Sequence, residues 1–200
     1  GIIFHDIINV RHAEKAIAAG VDGLVLVCAG AGGHAGTLSP FALVSEIKQI
    51  FDGPIALSGS IANGASILSA QALGADFAYI GTCFIATEEA NAEREYKNML
   101  VDYSAKDIVY SSLFTGVHGN YLKPSISNAG LDPDNLDEGD KSTMKFGSSG
   151  GSKTKAWKDI WGAGQGLGSI TEITTVSKIV ERFKTEYVQA LSRLNRLNIK

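Results

Sequence analysis

Cysteine, long apolar runs and concentrated positive charge are all scarce in this 200-residue chain, and each scarcity excludes a class of protein. Two cysteines, Cys28 and Cys83, are too few for a disulfide framework. Each lies at or just past the end of an apolar strand-like run, which suits buried thiols in a reducing compartment, so a cytoplasmic location is expected. Neither has a histidine at metal-ligand spacing, and no metal is expected. No apolar run approaches the roughly 18 residues of a spanning helix, and no signal-peptide pattern is present, so no membrane partner is expected. Lys and Arg number 18 against 21 Asp and Glu, with no basic stripe to track phosphates, and nucleic acid is not an expected partner.

Glycine, by contrast, is abundant, with 23 residues, and its densest cluster organises the chain. Ala29-Gly30-Ala31-Gly32-Gly33-His34-Ala35-Gly36-Thr37 leaves the apolar run Gly23-Leu24-Val25-Leu26-Val27-Cys28. Glycines this dense let a backbone take positive φ and approach a ligand closely. The histidine among them titrates near neutral pH.

The remaining pattern alternates. Strands are expected at 1–6, 24–28, 55–58 and 77–80, and helices at 9–19, 39–51, 65–73 and 88–100. Asn9 suits an N-cap, Pro40 a first helical turn and Gly20 a helix stop. The helix-to-strand junction Ala19-Gly20-Val21-Asp22-Gly23 recurs as Leu73-Gly74-Ala75-Asp76-Phe77. Alternation of this kind predicts parallel strands joined by right-handed crossovers. Four such units are half of a (β/α)8 barrel, with an open doubly wound sheet as the alternative. Gly1-Ile2-Ile3-Phe4 opens directly into a strand, which suggests the later part of a longer protein, since such an edge invites association.

From Tyr103 the pattern changes. Residues 115–121 read as a structured turn, 128–152 as a long surface excursion, and Trp157 and Trp161 as brackets of a helical piece. An amphipathic helix is expected from about Thr171 to Leu197, with Ile173, Val176, Ile179, Val180, Phe183 and Tyr187 at helical spacing. The expected division is 1–102 for the βα units, 103–170 for an insertion or lid, and 171–200 for a helix packing on the barrel.

Chemistry is expected at the carboxyl ends of the strands. Ser58-Gly59-Ser60 and Ile80-Gly81-Thr82 each join a glycine to a hydroxyl before or at a helix start, where backbone N–H groups and the helix dipole favour an anion. Of the other histidines, His5 reads as structural and His12 as a surface residue. His118 is a candidate to cover the active site, although a turn role is commoner. Asp132, Asp134, Asp137 and Glu138 lack the glycine-and-glutamate pattern of a calcium loop and read as a solvated face.

The runs Ala31-Gly32-Gly33-His34-Ala35-Gly36, Ser58-Gly59-Ser60-Ile61-Ala62-Asn63-Gly64, Ala72-Leu73-Gly74-Ala75-Asp76 and Ile80-Gly81-Thr82-Cys83-Phe84 together resemble the nitronate monooxygenase family. Ile160 to Gly166 is similar to that family's carboxyl-terminal Trp-x-Ala-Gly-Gln segment. The resemblance implies an FMN-binding TIM barrel, here strands five to eight plus a helical tail. It implies His34 as the active-site histidine, Gly32 and Gly33 lining the flavin, and Gly59, Ser60, Ile61, Gly81 and Thr82 at the FMN phosphate. Asp6 is carried over more weakly, as a polar group near the flavin ring. Ser60 stands where many relatives have a second glycine, and its hydroxyl adds a donor. The implied reaction oxidises a nitronate with oxygen to a carbonyl compound and nitrite, with nitronate or nitroalkane as the small-molecule partner. Two alternatives stay open. One is an FMN-dependent reductase passing electrons from NAD(P)H to a quinone or enoyl thioester. The other is a non-catalytic flavin-binding fragment, whose half barrel would close its sheet as a homodimer.

Overall fold

A computed structural model describes residues 1–137 and 158–197. Three βα steps and a fourth strand occupy its first part: β1 (Phe4–Ile7), α1 (Val10–Ala18), β2 (Gly23–Val27), α2 (Pro40–Ile47), β4 (Ile55–Ser58), α3 (Gly64–Leu73) and β5 (Phe77–Ala78). The short strand β3 (Gly33–His34) interrupts the second step. The sheet order is β1-β2-β4-β5 and every pairing is parallel. Each crossover therefore advances one strand in the same direction, as in a barrel, and among the described residues the reversal that defines a doubly wound sheet does not occur.

Local chemistry explains these elements. Asn9 caps α1 by accepting from His12 N, and Ser39 with Pro40 starts α2. Gly20 and Gly74 end their helices at φ 83° and 103°. The recurring aspartate then does the same work twice: Asp22 Oδ2 accepts from Ile3 N at 2.7 Å, and Asp76 Oδ2 from Ile55 N at 2.8 Å. Each carboxylate ties its own strand to the start of the neighbouring one.

Ile7, Leu24, Leu26, Ile55 and Leu57 face the helices and pack with Ala13, Leu43, Val44 and Ile47. Alternation places Phe4, Asp6, Val25, Ala56 and Phe77 on the opposite, concave face. The Phe4 and Phe77 rings meet edge to face at 6.2 Å, although their strands are the outermost pair, three strand spacings or about 14 Å apart in a flat sheet. The sheet is curled into a half barrel.

A second sheet departs from expectation. β6 (Ile108–Ser111) and β7 (Gly119–Leu122) form an antiparallel hairpin, and β7 also pairs antiparallel with β3. Residues 119–121, expected in a turn, are thus strand. The helix expected at 88–100 begins only at α5 (Arg94–Asp102), and a separate short helix, α4 (Thr82–Ile85), precedes it. Between them the chain is drawn out by a bridge from Thr87 to Thr174 and by Glu89, which accepts from Val176 N at 3.0 Å. The same contacts delay the last helix, α7 (Val176–Asn195), which starts five residues later than expected and is capped by Thr175. After α6 (Lys123–Asn128), residues 138–157 lie outside the described residues, and with them much of the expected excursion and Trp157. Lys158 and Asp159 form a turn rather than helix. Trp161 is a packing anchor, stacked on Tyr96 at 5.0 Å.

Candidate active site

The strand ends of the half barrel are gathered by backbone bonds. Cys28 N donates to Ser58 O at 2.9 Å, joining the ends of β2 and β4. Gly30 O then accepts from both Ser60 N, at 3.3 Å, and Gln165 N, at 2.9 Å. Thr82 Oγ1 accepts from Gly164 N at 3.0 Å. Gly30, Gly32, Gly59, Ser60 and Thr82 are thereby brought together with the Ala163–Gln165 segment.

These contacts show why glycine is needed. A Cβ on Gly32 would stand 2.8 Å from Gly164 N, so this glycine admits the 163–164 backbone on that side. Gly59 has φ 137°, and its Cβ would stand 2.8 Å from Ala29 O. Ser60 holds φ 55°, and among the described residues no other non-glycine takes positive φ. Such strain costs on the order of 1–2 kcal/mol and clusters at functional sites.

The amides at the expected anion site are arranged differently in detail. Two amides at the start of α3 are already taken, because Gly64 N donates to Glu186 Oε2 at 2.8 Å and Ser66 N to Asn63 Oδ1 at 2.8 Å. Among the described residues, amides at Ile61, just upstream, and at Gly81 and Thr82, on the next loop, have no protein acceptor. Gly81 is exposed, with nothing within 4 Å of where its Cβ would be. A turn holding unpaired amides beside open space fits a phosphate group.

His34 sits on β3, opposite Gly119 of β7. Gly119 must be glycine, since its Cβ would stand 2.8 Å from Gly33 O. The strand is held on all sides: Ala35 N donates to His118 O at 3.2 Å, Tyr110 Oη donates to Ala35 O at 2.7 Å, and buried Asn120 Nδ2 donates to Ala31 O at 2.7 Å. His34 Nε2 lies 2.8 Å from Thr115 Oγ1. Burial pulls the His34 pKa below its ordinary value of 6.5. His118 flanks this strand and stacks on Tyr110 at 5.0 Å. Asp6 stands apart from these contacts, exposed on the concave face of β1, two strands from β4. His5 and His12 are exposed, His5 on the helix-facing side of β1 and His12 on α1, and neither joins the site.

Sequence reasoning missed Thr115, Asn120 and Tyr110, which all belong to the hairpin. The β-branched run Ile108-Val109 before Tyr110 is the available signal. Both cysteines are free and buried; burial pushes the Cys28 thiol up to about 12 and raises Cys83 as well.

The fold and these loops define a class: a parallel α/β barrel half with a histidine-bearing glycine loop and a turn of unpaired amides at its strand ends. The nitronate monooxygenase profile matches residues 2–186, and the chain belongs to that family. A nitronate monooxygenase of Paraburkholderia phytofirmans is 31% identical over 134 residues, which cover 62% of this chain and 37% of that protein. The chain therefore spans little more than a third of the relative's length. FabK from Thermotoga maritima superposes with TM-score 0.75 at 22% identity, over 97% of this chain and 63% of that one. A nitroalkane oxidase of Streptomyces ansochromogenes gives TM-score 0.72 at 21% identity, over 96% and 59%. Among the described residues, no helix is long and apolar enough to cross a membrane.

Proposed function

We propose that this chain carries the acid–base group and the phosphate-holding loops of an FMN-dependent enzyme that oxidises alkyl nitronates with molecular oxygen to carbonyl compounds and nitrite. The reading is supported above all by His34, a half-buried imidazole with a lowered pKa, fixed in a strand beside the glycine loop. FMN, when bound, supplies the redox chemistry, taking electrons from the substrate and delivering them to oxygen.

The chain's own residues do the rest. The Ile61, Gly81 and Thr82 amides would hold the phosphate, with Gly59 and Ser60 shaping the turn and Gly32 and Gly33 lining the flavin. Asp6 stands on the concave wall and would contribute only as a polar group facing the flavin. His34, neutral at pH 7, takes the α-proton of a neutral nitroalkane, and the imidazolium it then becomes donates a hydrogen bond to the nitro group. A base with pKa near the working pH suits proton transfer. The two outer strands would be completed by further strands, supplied by a second copy where this chain acts alone.

The same loops would serve an NAD(P)H-dependent reductase, a reading supported by the equally close superposition on FabK. Visible spectra of the flavin-loaded protein, recorded anaerobically, separate the two. Flavin bands that bleach with an alkyl nitronate and not with NADH are expected. Bands that ignore nitronate and bleach with NADH or NADPH would replace this reading with the reductase, and absence of flavin would refute both.

A further inference from the structure

Three of the contacts of the Thr115 hydroxyl, which also meets the Tyr121 phenol, bear on where a proton sits. Its Oγ1 lies 3.0 Å from Val117 O, 3.3 Å from Val117 N and 2.8 Å from His34 Nε2. A hydroxyl has one proton, and a carbonyl oxygen can only accept. With that proton donated to Val117 O, Oγ1 accepts from Val117 N–H and from the ring nitrogen. Accepting from the ring requires that Nε2 carry hydrogen.

We propose that Thr115 is a positioning residue: it holds neutral His34 as the Nε2–H tautomer, so that Nδ1 is the nitrogen that exchanges a proton with substrate. The inference rests on the acid–base role of His34 given above. In the forward step Nδ1 takes the α-proton of a neutral nitroalkane. The C–H electron pair becomes the C=N bond of the nitronate while a nitro N=O pair moves onto oxygen. The imidazolium keeps its Nε2–H bond to Thr115, so no part of the ring needs to turn. A free imidazole populates both tautomers, whereas this one is set by its partner.

The surroundings make Thr115 a firm partner. It lies in the 112–118 connection of the hairpin, closed by Gly116 N donating to Ser112 O at 2.8 Å. The phenol of fully buried Tyr121 lies against it; burial raises that phenol's pKa and the Thr115 contact lowers it in part. The β7–β3 pairing fixes the connection relative to His34.

The test is nitrogen NMR of the protein with labelled histidine, above the titration of His34. The expected spectrum has a pyrrole-like Nε2 and a pyridine-like Nδ1 at His34 in the wild type and in Thr115→Ser, with both tautomers populated in Thr115→Val. A protonated Nδ1 in the wild type would overturn the proposal, and that spectrum needs no variant to fold. In kinetics, Thr115→Val should lose roughly tenfold in kcat/KM on a neutral nitroalkane, the size of one lost hydrogen bond, with about twofold or less on a preformed nitronate. Thr115→Ser should recover most of that loss. Equal losses on both substrates, or no recovery with serine, would also overturn it. The tautomer is read without turnover, so a chain that shows Nε2–H but oxidises no nitronate refutes the proposed activity and leaves the tautomer standing.

Discussion

Burial sets the working range of the imidazole at position 34. A histidine whose folded-state pKa is depressed binds fewer protons folded than unfolded. Its stabilising contribution is complete above the unfolded value of 6.5 and is lost as pH falls through the folded value. The acid limb of nitroalkane deprotonation is therefore expected below pH 6.5, with stability declining along the same limb; a limb centred above that value would assign the base to another group. His34→Ala should cost roughly 10²-fold or more on a neutral nitroalkane and about tenfold or less on a preformed nitronate. Gly81 offers a cleaner probe of cofactor binding. A methyl group there meets nothing, so Gly81→Ala should leave Tm unchanged while weakening FMN in a fluorescence titration. Unchanged affinity would remove the phosphate assignment.

Between elements, α3 and α7 approach each other backbone to backbone at Gly64. A Cβ on Gly64 would stand 2.2 Å from Tyr187 N and 2.3 Å from Phe183 O, both backbone atoms that cannot step aside. Gly64→Ala is expected to cost about 1–3 kcal/mol, read as a lower Tm, and to loosen the Glu186 cap on α3. The βα steps were legible because their signals are local: helix period, Asn9 and Ser39 caps, and the repeated Gly-x-Asp junction with its carboxylate in the next strand. The glycine loop was legible for the same reason, being one contiguous run. The hairpin was not. Its strands have four residues each, its connection spans 112–118, and its second partner is a two-residue strand far back in the chain. Thr115 gains its place beside His34 only through that pairing, and no spacing in the sequence announces it. The α4 to α5 break was hidden likewise, because Thr87 and Glu89 leave the helix pattern to meet residues of the 174–176 segment.

For the molecule, the outer strands govern solution behaviour. Ile2 and Ile3 near β1, and Phe77 and Tyr79 along β5, are 81%, 59%, 56% and 60% exposed. Exposed parallel edges of this kind pair readily. The isolated chain is expected to elute in gel filtration at the mass of two copies; a folded, flavin-loaded species of one-chain mass would rule that out. The two sheets also differ in how soon they can exist. The half barrel grows by short crossovers between successive elements, whereas the hydrogen bond from His34 to Thr115 closes a separation of 81 residues. Loop closure must precede any reward from such a contact. During refolding, amides of β2 and β4 should gain protection from hydrogen exchange first and those of β3 and β7 last. A nascent chain would then hold a nearly finished scaffold before it holds an active histidine, and nitronate turnover would report the final step of folding.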